Sequence, residues 1–442
     1  MALIHVILEE GRFSYCGYTL TNENWDRFTS DIGKSTCQSC RNYVSGKWNS
    51  RHTGGMGMLV YDELTRHQQD AVDICVEKIR SGSKLTKLNG YAGTGKTTLA
   101  GIIAERSGME PKYAAYTGKA AFVLSRKGFP AQTIHSLLMR YEGKKRDKTG
   151  DEELVFSLDG GKASGLGGYL LVLDETSMIG QWLGERIMSI GIPVLAIGDP
   201  FQLPPVKDVP YFGGEPDAML TEVVRHDGIV LSLATEIREN AKLYRDVLGK
   251  RVYDGLYSKA SPLNRMGYLE FDQILVGRND TRHAGNLRMR GLMGYGDTVV
   301  TGEKIMCLEN NYRFGTYNGQ QFKVLGSRRS GAFILARLDC QCNPDSWELI
   351  CATCGWDMGR EVPMWADEFT YTGNGVKRPD RTRSTRAMVA TYGYVITVNK
   401  AQGSEWESVL VIDETDKMGG DHARWLYTAF TRSMSELAII NG

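Results

Sequence analysis

The sequence predicts an α/β protein built on parallel sheets, and three stretches carry that prediction. The first is Gly90-Tyr91-Ala92-Gly93-Thr94-Gly95-Lys96-Thr97-Thr98, set between residues 84–89, which read as a short strand, and residues 99–104, which read as a helix. The second is 169–175, a continuous apolar run that closes on Asp174 and Glu175. The third is 193–205, a further apolar run ending in a Pro-fixed loop that presents Gln202. Apolar runs without alternation are the pattern of strands covered on both faces, as in parallel sheets.

Each stretch implies chemistry. Glycines in the first let the backbone turn so that the N–H groups around Gly93, Thr94, Gly95 and Thr98 face phosphate oxygens. Lys96 would reach the β- and γ-phosphates, and Thr97 would offer its hydroxyl to Mg²⁺. The helix that follows adds the positive end of its dipole. Asp174, at a strand end, is expected to hold Mg²⁺, Glu175 to act on a water, and Gln202 to touch the γ-phosphate or the attacking water. Nucleotide binding is the expected anchor of the molecule.

Composition narrows what the nucleotide could drive. The chain has 442 residues, enough for two to four domains, with 53 basic and 52 acidic residues and a formal charge of +1. A polyanion partner would therefore need locally clustered basic groups. No apolar run approaches the length of a membrane span, and the first ten residues lack a basic flank and a cleavage site, so neither a transmembrane helix nor a signal peptide is expected.

Seven of the nine cysteines fall in two clusters, which favours metal over disulfides. Residues 1–58 hold His5, Cys16 and Cys37-Gln38-Ser39-Cys40 and end in a Gly-rich linker. Their order resembles small zinc modules of phage proteins; Cys16, Cys37 and Cys40 would be ligands, with His5 preferred to His52 as the fourth. Free thiols are the plain alternative. The segment is too short for a large core, so bound Zn²⁺ would supply much of its stability. A second Zn²⁺ could sit on Cys340, Cys342, Cys351 and Cys354, although Cys-x-Cys is tighter than a usual knuckle. Cys75 and Cys307 lie on apolar faces and read as core.

Taken in order, the main body opens with a cap at Leu64-Thr65 and an amphipathic helix carrying Ala71, Val72, Ile74, Cys75 and Ile79. Gln68 on it could read adenine through its amide. Thr117-Gly118-Lys119-Ala120-Ala121 and Thr133-Ile134-His135 are strand-to-helix turns whose hydroxyls and helix starts suit phosphates of a second ligand. For His135 a structural role weighs equally. Residues 140–168 are polar and Gly-rich around an alternating hairpin strand, 153–158, with Phe156 either exposed for use or packed down.

These motifs together resemble superfamily-1 helicases over 62–442, and the forms Thr-Gly-Lys-Ala-Ala, Asp-Glu-Thr-Ser-Met and Gly-Asp-Pro-x-Gln-Leu-Pro-Pro look like the RecD/Dda/Pif1 group, with phage Dda-like members nearest in layout. The resemblance extends to Leu220–Arg225, where Arg225 falls at a first arginine finger, to 395–405 with Thr397, Asn399, Gly403 and Glu405, and to 427–433, where Arg432 is a second finger. Asn399 departs from the family's usual His. The resemblance implies two RecA-like domains: 1A at 62–205 with a pin 1B at about 140–168, and 2A at 206–304 plus 391–442. An SH3-like 2B at 305–390 would interrupt 2A, and the zinc module and linker would occupy 1–58. It implies an ATP-dependent DNA helicase moving 5′→3′ on single-stranded DNA and opening forks in phage replication, recombination or repair. Thr117, Lys119, Thr133, His135, Thr397 and Asn399 would meet the strand, and Phe156 would stack at the fork. Gln68, Gly403 and Glu405 would join the phosphate loop around ATP. The implied protein is monomeric and cytoplasmic, in a host if of phage origin, and its N-terminal module could recruit replication or recombination proteins. The rival reading is a P-loop ATPase that remodels protein or RNA–protein complexes without processive unwinding.

Overall fold

The computed structural model describes residues 7–9, 12–15, 18–20, 61–146, 152–205, 208–224, 229–239, 267–311, 313–314, 316–340, 357–366, 369, 387–415 and 421–441. The chain divides into two compact units, one formed mainly by residues 1–59 and one by the remainder. In the first unit β1 (Ile7–Glu9), β2 (Arg12–Tyr15) and β3 (Tyr18–Leu20) form an antiparallel meander. His5, Cys16, Cys37 and Cys40 lie outside the described residues.

The second unit begins with α1 (Arg66–Arg80). Thr65 accepts the Gln68 N–H while the Gln68 side chain accepts the Thr65 N–H, a reciprocal capping box. There follow β4 (Leu85–Gly90), α2 (Lys96–Ser107), β5 (Glu110–Ala115), α3 (Gly118–Arg126), β6 (Ala131–Thr133) and the short α4 (Ile134–Leu138). A hairpin of β7 (Met139–Arg146) and β8 (Glu152–Leu158) leads through α5 (Gly160–Ser164) to β9 (Tyr169–Asp174), α6 (Gln181–Ser189), β10 (Val194–Gly198) and β11 (Ala218–Leu220). Six strands form one parallel sheet in the order β11-β4-β10-β9-β5-β6.

The continuous apolar runs find their explanation in this sheet. Along β9, Leu170 and Val172 join the core beneath α1 and α2, while Leu171 and Leu173 join the core on the opposite face. Leu195 and Ile197 of β10 face the first core, and Val194 and Ala196 the second. Cys75 belongs to the first core and burial pushes its thiol up to about 12.

The sheet runs past the boundary expected at 205. Residues 217–220 return to it: Asp217 accepts the Lys87 N–H at 2.8 Å and pairs with Lys78, and β11 lies beside β4. A three-residue strand after a Pro-rich loop carries too little periodicity to be read from sequence.

Next come α7 (Ile229–Glu239), β12 (Gln273–Val276), α8 (Asn279–Leu292), β13 (Lys304–Cys307), β14 (Gln321–Ser330), β15 (Phe333–Asp339), β16 (Glu361–Trp365) and β17 (Ala390–Tyr392). The chain ends with β18 (Val395–Thr397), α9 (Val398–Ala401), β19 (Trp406–Asp413), α10 (His422–Phe430) and β20 (Ser433–Asn441). A second parallel sheet has the order β18-β12-β19-β20, and β16-β15-β14-β13-β17 form an antiparallel sheet inserted between β12 and β18 in sequence. Cys307 and Cys340 are buried in the antiparallel core; Cys342, Cys351 and Cys354 lie outside the described residues. No group of three or more potential metal ligands occurs among the described residues.

A buried ion pair fixes the insert to α8. Arg290 donates to Glu303 at 2.5 Å and to the Thr298 carbonyl at 2.7 Å, while Glu303 also accepts the Val300 N–H at 2.8 Å. Removing one member strands the other charge in a dry site, which costs about 3–5 kcal/mol. Glu303→Ala is therefore expected to lower the melting temperature of the main body markedly, measured by thermal denaturation; a midpoint within a degree of the parent would refute the assignment.

Candidate nucleotide site

The phosphate loop sits at the carboxyl end of β4. Gly93 and Gly95 adopt left-handed conformations, φ +80° and +84°, which glycine reaches without strain. A Cβ on Gly90 would lie 2.7 Å from Thr94 Oγ1 and 2.8 Å from Leu220, so the loop closes tightly on β11. Lys96 Nζ donates to the Tyr91 carbonyl at 2.7 Å, which folds the ammonium back over the loop.

Thr97 Oγ1 donates to Asp174 Oδ2 at 3.2 Å, so the hydroxyl from α2 and the carboxylate from β9 converge although 77 residues separate them. This hydroxyl–carboxylate pair beside a lysine fits the donor set Mg²⁺ takes with a nucleotide. Glu175 follows with φ 55°, the one described non-glycine residue with positive φ. Such a conformation costs of order 1 kcal/mol or more and marks a position held by its surroundings. Burial, then the charge of Asp174, pushes the Glu175 carboxyl up to about 7, while Arg432 and Lys96 oppose the rise. Bound Mg²⁺ would cancel the Asp174 contribution and favour the carboxylate.

Gln202 is 5% exposed and its Oε1 has no partner. It lines a cavity of about 340 Å³ with Asn89, Ser177, Asp199 and Arg424 at the strand ends. Unpartnered buried acceptors are rare, and one in a polar cavity beside the loop suits a water or a ligand donor.

The far wall comes from the second sheet. Arg432 is buried, donating to the carbonyls of Thr428 at 3.0 Å and Ser404 at 3.2 Å and to the Thr431 hydroxyl at 3.1 Å. Arg238 of α7 lies over the Tyr91 ring at 3.5 Å, a second cation at the loop that the sequence reading missed. Tyr427 of α10 was missed too: its hydroxyl donates to Asp199 at 2.6 Å and accepts the Ala92 N–H at 3.0 Å. Burial, then Asp199, raises its pKa, so the proton stays on the oxygen. Both lie on amphipathic helices, where a buried polar residue is the only signal available. Arg225 lies outside the described residues.

Several expected residues are placed otherwise. The Gln68 amide is taken up by the capping box and by a bond to the Thr94 carbonyl at 3.2 Å, so it braces the loop instead of presenting itself to a base. Gly403 packs against Ala120, and Glu405 is exposed. Thr117 and Thr133 cap α3 and α4, accepting the N–H groups of Ala120 at 3.1 Å and Ser136 at 3.0 Å. Thr397 is buried at the start of α9 and Asn399 is exposed. Lys119 does not face outward: its ammonium lies 4.6 Å from the Trp406 ring, and burial, then Lys304 and Arg432, lowers it to about 7.

Phe156 also departs from expectation. It pairs with Tyr141 near the base of the hairpin, packs against the second core of the first sheet, and meets the His135 ring edge-on at 4.8 Å. The alternating strand places it on the inward face, which favours the packed alternative over stacking at the fork. Burial lowers the pKa of His135, keeping it neutral between Phe156 and Tyr116.

Comparisons with known proteins agree with this arrangement. Residues 63–247 match a family model described as an AAA domain, and 392–440 match the UvrD-like helicase C-terminal domain. The ATP-dependent DNA helicase dda of Enterobacteria phage T4 is 31% identical over 211 residues, 43% of this chain and 46% of that protein. The ATP-dependent RecD2 DNA helicase of Deinococcus radiodurans is 27% identical over 390 residues, 80% of this chain and 46% of that protein. These matches support a superfamily-1 helicase of the RecD/Dda/Pif1 type. The chain spans about half the length of these two curated relatives. The fold of Pif1 helicases described at forked dsDNA is similar, with TM-score 0.54, 19% identity and coverage of 85% of this chain and 92% of that one. Bacteroides Pif1 bound to ssDNA is similar at TM-score 0.52 and 18% identity, with the same coverage.

Within this helicase fold Gln68 should behave as a brace. Gln68→Ala is expected to destabilise α1 by about 1 kcal/mol and to weaken nucleotide binding several-fold, read from denaturation and from titration with a fluorescent nucleotide. Unchanged affinity would show that the loop holds its shape without it.

Proposed function

We propose that the protein is an ATP-dependent DNA helicase that translocates on single-stranded DNA, with 5′→3′ polarity, and unwinds forked duplex. The observation that carries the reading is the composite cleft: Lys96, Thr97, Asp174 and Glu175 on the first sheet, faced by Arg432 beyond α10 of the second. ATP would lie on the loop with Mg²⁺ at Thr97 and Asp174. Glu175 would take the proton of the attacking water, Gln202 would position that water, and Arg432 and Arg225 would meet charge developing on the γ-phosphate. Groups split between two domains act together only when the cleft closes, which couples hydrolysis to domain motion.

Supporting the DNA substrate are the names of the matched relatives, both ATP-dependent DNA helicases, and a similarly folded Pif1 described with ssDNA. Thr117 and Thr133 cap helices whose starts would hold strand phosphates, with Lys119 and His135 beside them and Thr397 and Asn399 on the second domain. The β7–β8 hairpin serves as the pin and the antiparallel insert as an SH3-like 2B in this reading. The N-terminal cysteines would hold Zn²⁺ and recruit replication or recombination partners; the working form is a cytoplasmic monomer, of phage origin on the likeness to dda.

Lys96→Ala is expected to abolish ATP hydrolysis while single-stranded DNA binding stays within about tenfold, because the strand is held by other groups. Arg432→Ala should lower kcat by ~10² or more with a smaller effect on ATP affinity. Strand displacement on 5′- and 3′-tailed duplexes tests the whole reading: unwinding of the 5′-tailed substrate alone is expected, and no ATP-dependent unwinding of either would overturn it.

A further inference from the structure

Tyr427 has no role in the chemistry described so far, yet it makes the densest set of polar contacts across the cleft. It is 1% exposed and sits on α10, in the second domain. Its hydroxyl has one proton, which goes to Asp199 Oδ2 at 2.6 Å, and its lone pair takes the Ala92 N–H at 3.0 Å. One atom therefore touches the phosphate loop and the loop after β10 at once. Its ring meets Phe201 edge-on at 5.2 Å.

The next contacts extend the same latch. Thr428 Oγ1 accepts the Leu203 N–H at 3.1 Å, and Gln402 donates to the Leu203 carbonyl at 3.2 Å. Asp199 also accepts the Phe201 N–H at 3.0 Å, which folds its own loop. Gln202 lies between these anchored residues, and Arg432 lies one turn beyond Tyr427 and Thr428. The Tyr427 hydroxyl joins Ala92 to this set, and with Thr428 and Gln402 it relates the phosphate loop, the Gln202 loop and the turn that carries Arg432.

We infer that Tyr427 is a positioning residue for ATP hydrolysis, a cross-cleft strut that sets the phosphate loop, the Gln202 loop and the Arg432-bearing turn after α10 in one register. The inference rests on the ATPase reading. Removing the hydroxyl leaves the half-buried Ala92 N–H and the buried Asp199 Oδ2 without that partner. The ring and its packing on Phe201 survive in phenylalanine, so the effect should fall on geometry at the γ-phosphate side and not on binding of the nucleotide.

The test uses the full chain. Tyr427→Phe is expected to reduce kcat for DNA-stimulated ATP hydrolysis about tenfold while KM for ATP changes less than about threefold and the melting temperature stays close to the parent. Asp199→Ala, which removes the acceptor of the Tyr427 hydroxyl, should give at least as large a loss, and the double variant little more than Asp199→Ala alone, because both interrupt the same strut. A Tyr427→Phe protein with parental kcat overturns the proposal. So does a loss in which KM and melting temperature shift in proportion, or one that multiplies with Asp199→Ala. Parental protein that fails to hydrolyse ATP overturns the ATPase reading itself, whereas active parent with equally active Tyr427→Phe overturns only the strut.

Discussion

A phosphate-binding loop must keep its N–H groups turned toward a ligand, so it cannot be satisfied by its own turn and has to be held from outside. In this protein three separate segments hold it. Leu220 of β11 accepts the Tyr91 N–H at 3.2 Å, and Val224 donates to the Gly93 carbonyl at 3.1 Å. Gln68 of α1 donates to the Thr94 carbonyl, and Tyr427 of α10 accepts from Ala92. The return of 217–224 to the first sheet, the cap of α1 and the approach of the second domain all follow from that requirement. The helix dipole of α2 alone would attract phosphate, but would not fix where it lies.

The same requirement explains why the active groups are shared between two sheets. On the first, strand ends at β4, β9 and β10 deliver Lys96, Asp174 and Gln202 to one edge, since parallel strands all finish on the same side. Among the described residues, that sheet supplies no positive charge on the far side of a γ-phosphate. Arg432 and Arg238 come from the second, and each is immobilised, one by main-chain carbonyls and one by the Tyr91 ring. An arginine already held needs little reorganisation when charge develops beside it.

Legibility from sequence divides along physical lines. The phosphate loop and strands β9 and β10 could be read because glycine spacing and unbroken apolar runs are local signals. What escaped depends on partners distant in sequence. Gln68 was legible as a polar residue on a helix start, but its use as a brace needs Thr94, 26 residues away. Phe156 was legible as an aromatic in a hairpin, yet whether it faces inward is settled by register against β7 and by His135. Lys119 looked like a free cation after a turn; only the fold brings Trp406 over it. Tyr427 stood in a recognised motif without a role, because its two partners are 335 and 228 residues away.

A buried polar chain carries this logic beyond the cleft. Lys119 of the first domain lies on the Trp406 ring, and the indole N–H donates to Gln321 Oε1 of the inserted sheet at 3.3 Å. Gln321 donates to Gln273 Oε1 of the second parallel sheet at 2.7 Å, and Gln273 donates on to the Tyr394 carbonyl at 2.9 Å. Apolar packing would hold these three sheets together in many neighbouring registers, since it has no direction. A chain of buried amides is satisfied in very few, and each amide left unpaired costs about 1–3 kcal/mol. Gly118 adds a steric check at the same seam, because a Cβ there would lie 2.3 Å from Tyr317. The first domain, the inserted sheet and the second parallel sheet are therefore tied at one seam, so a change in register between two of them would have to be accommodated by the third.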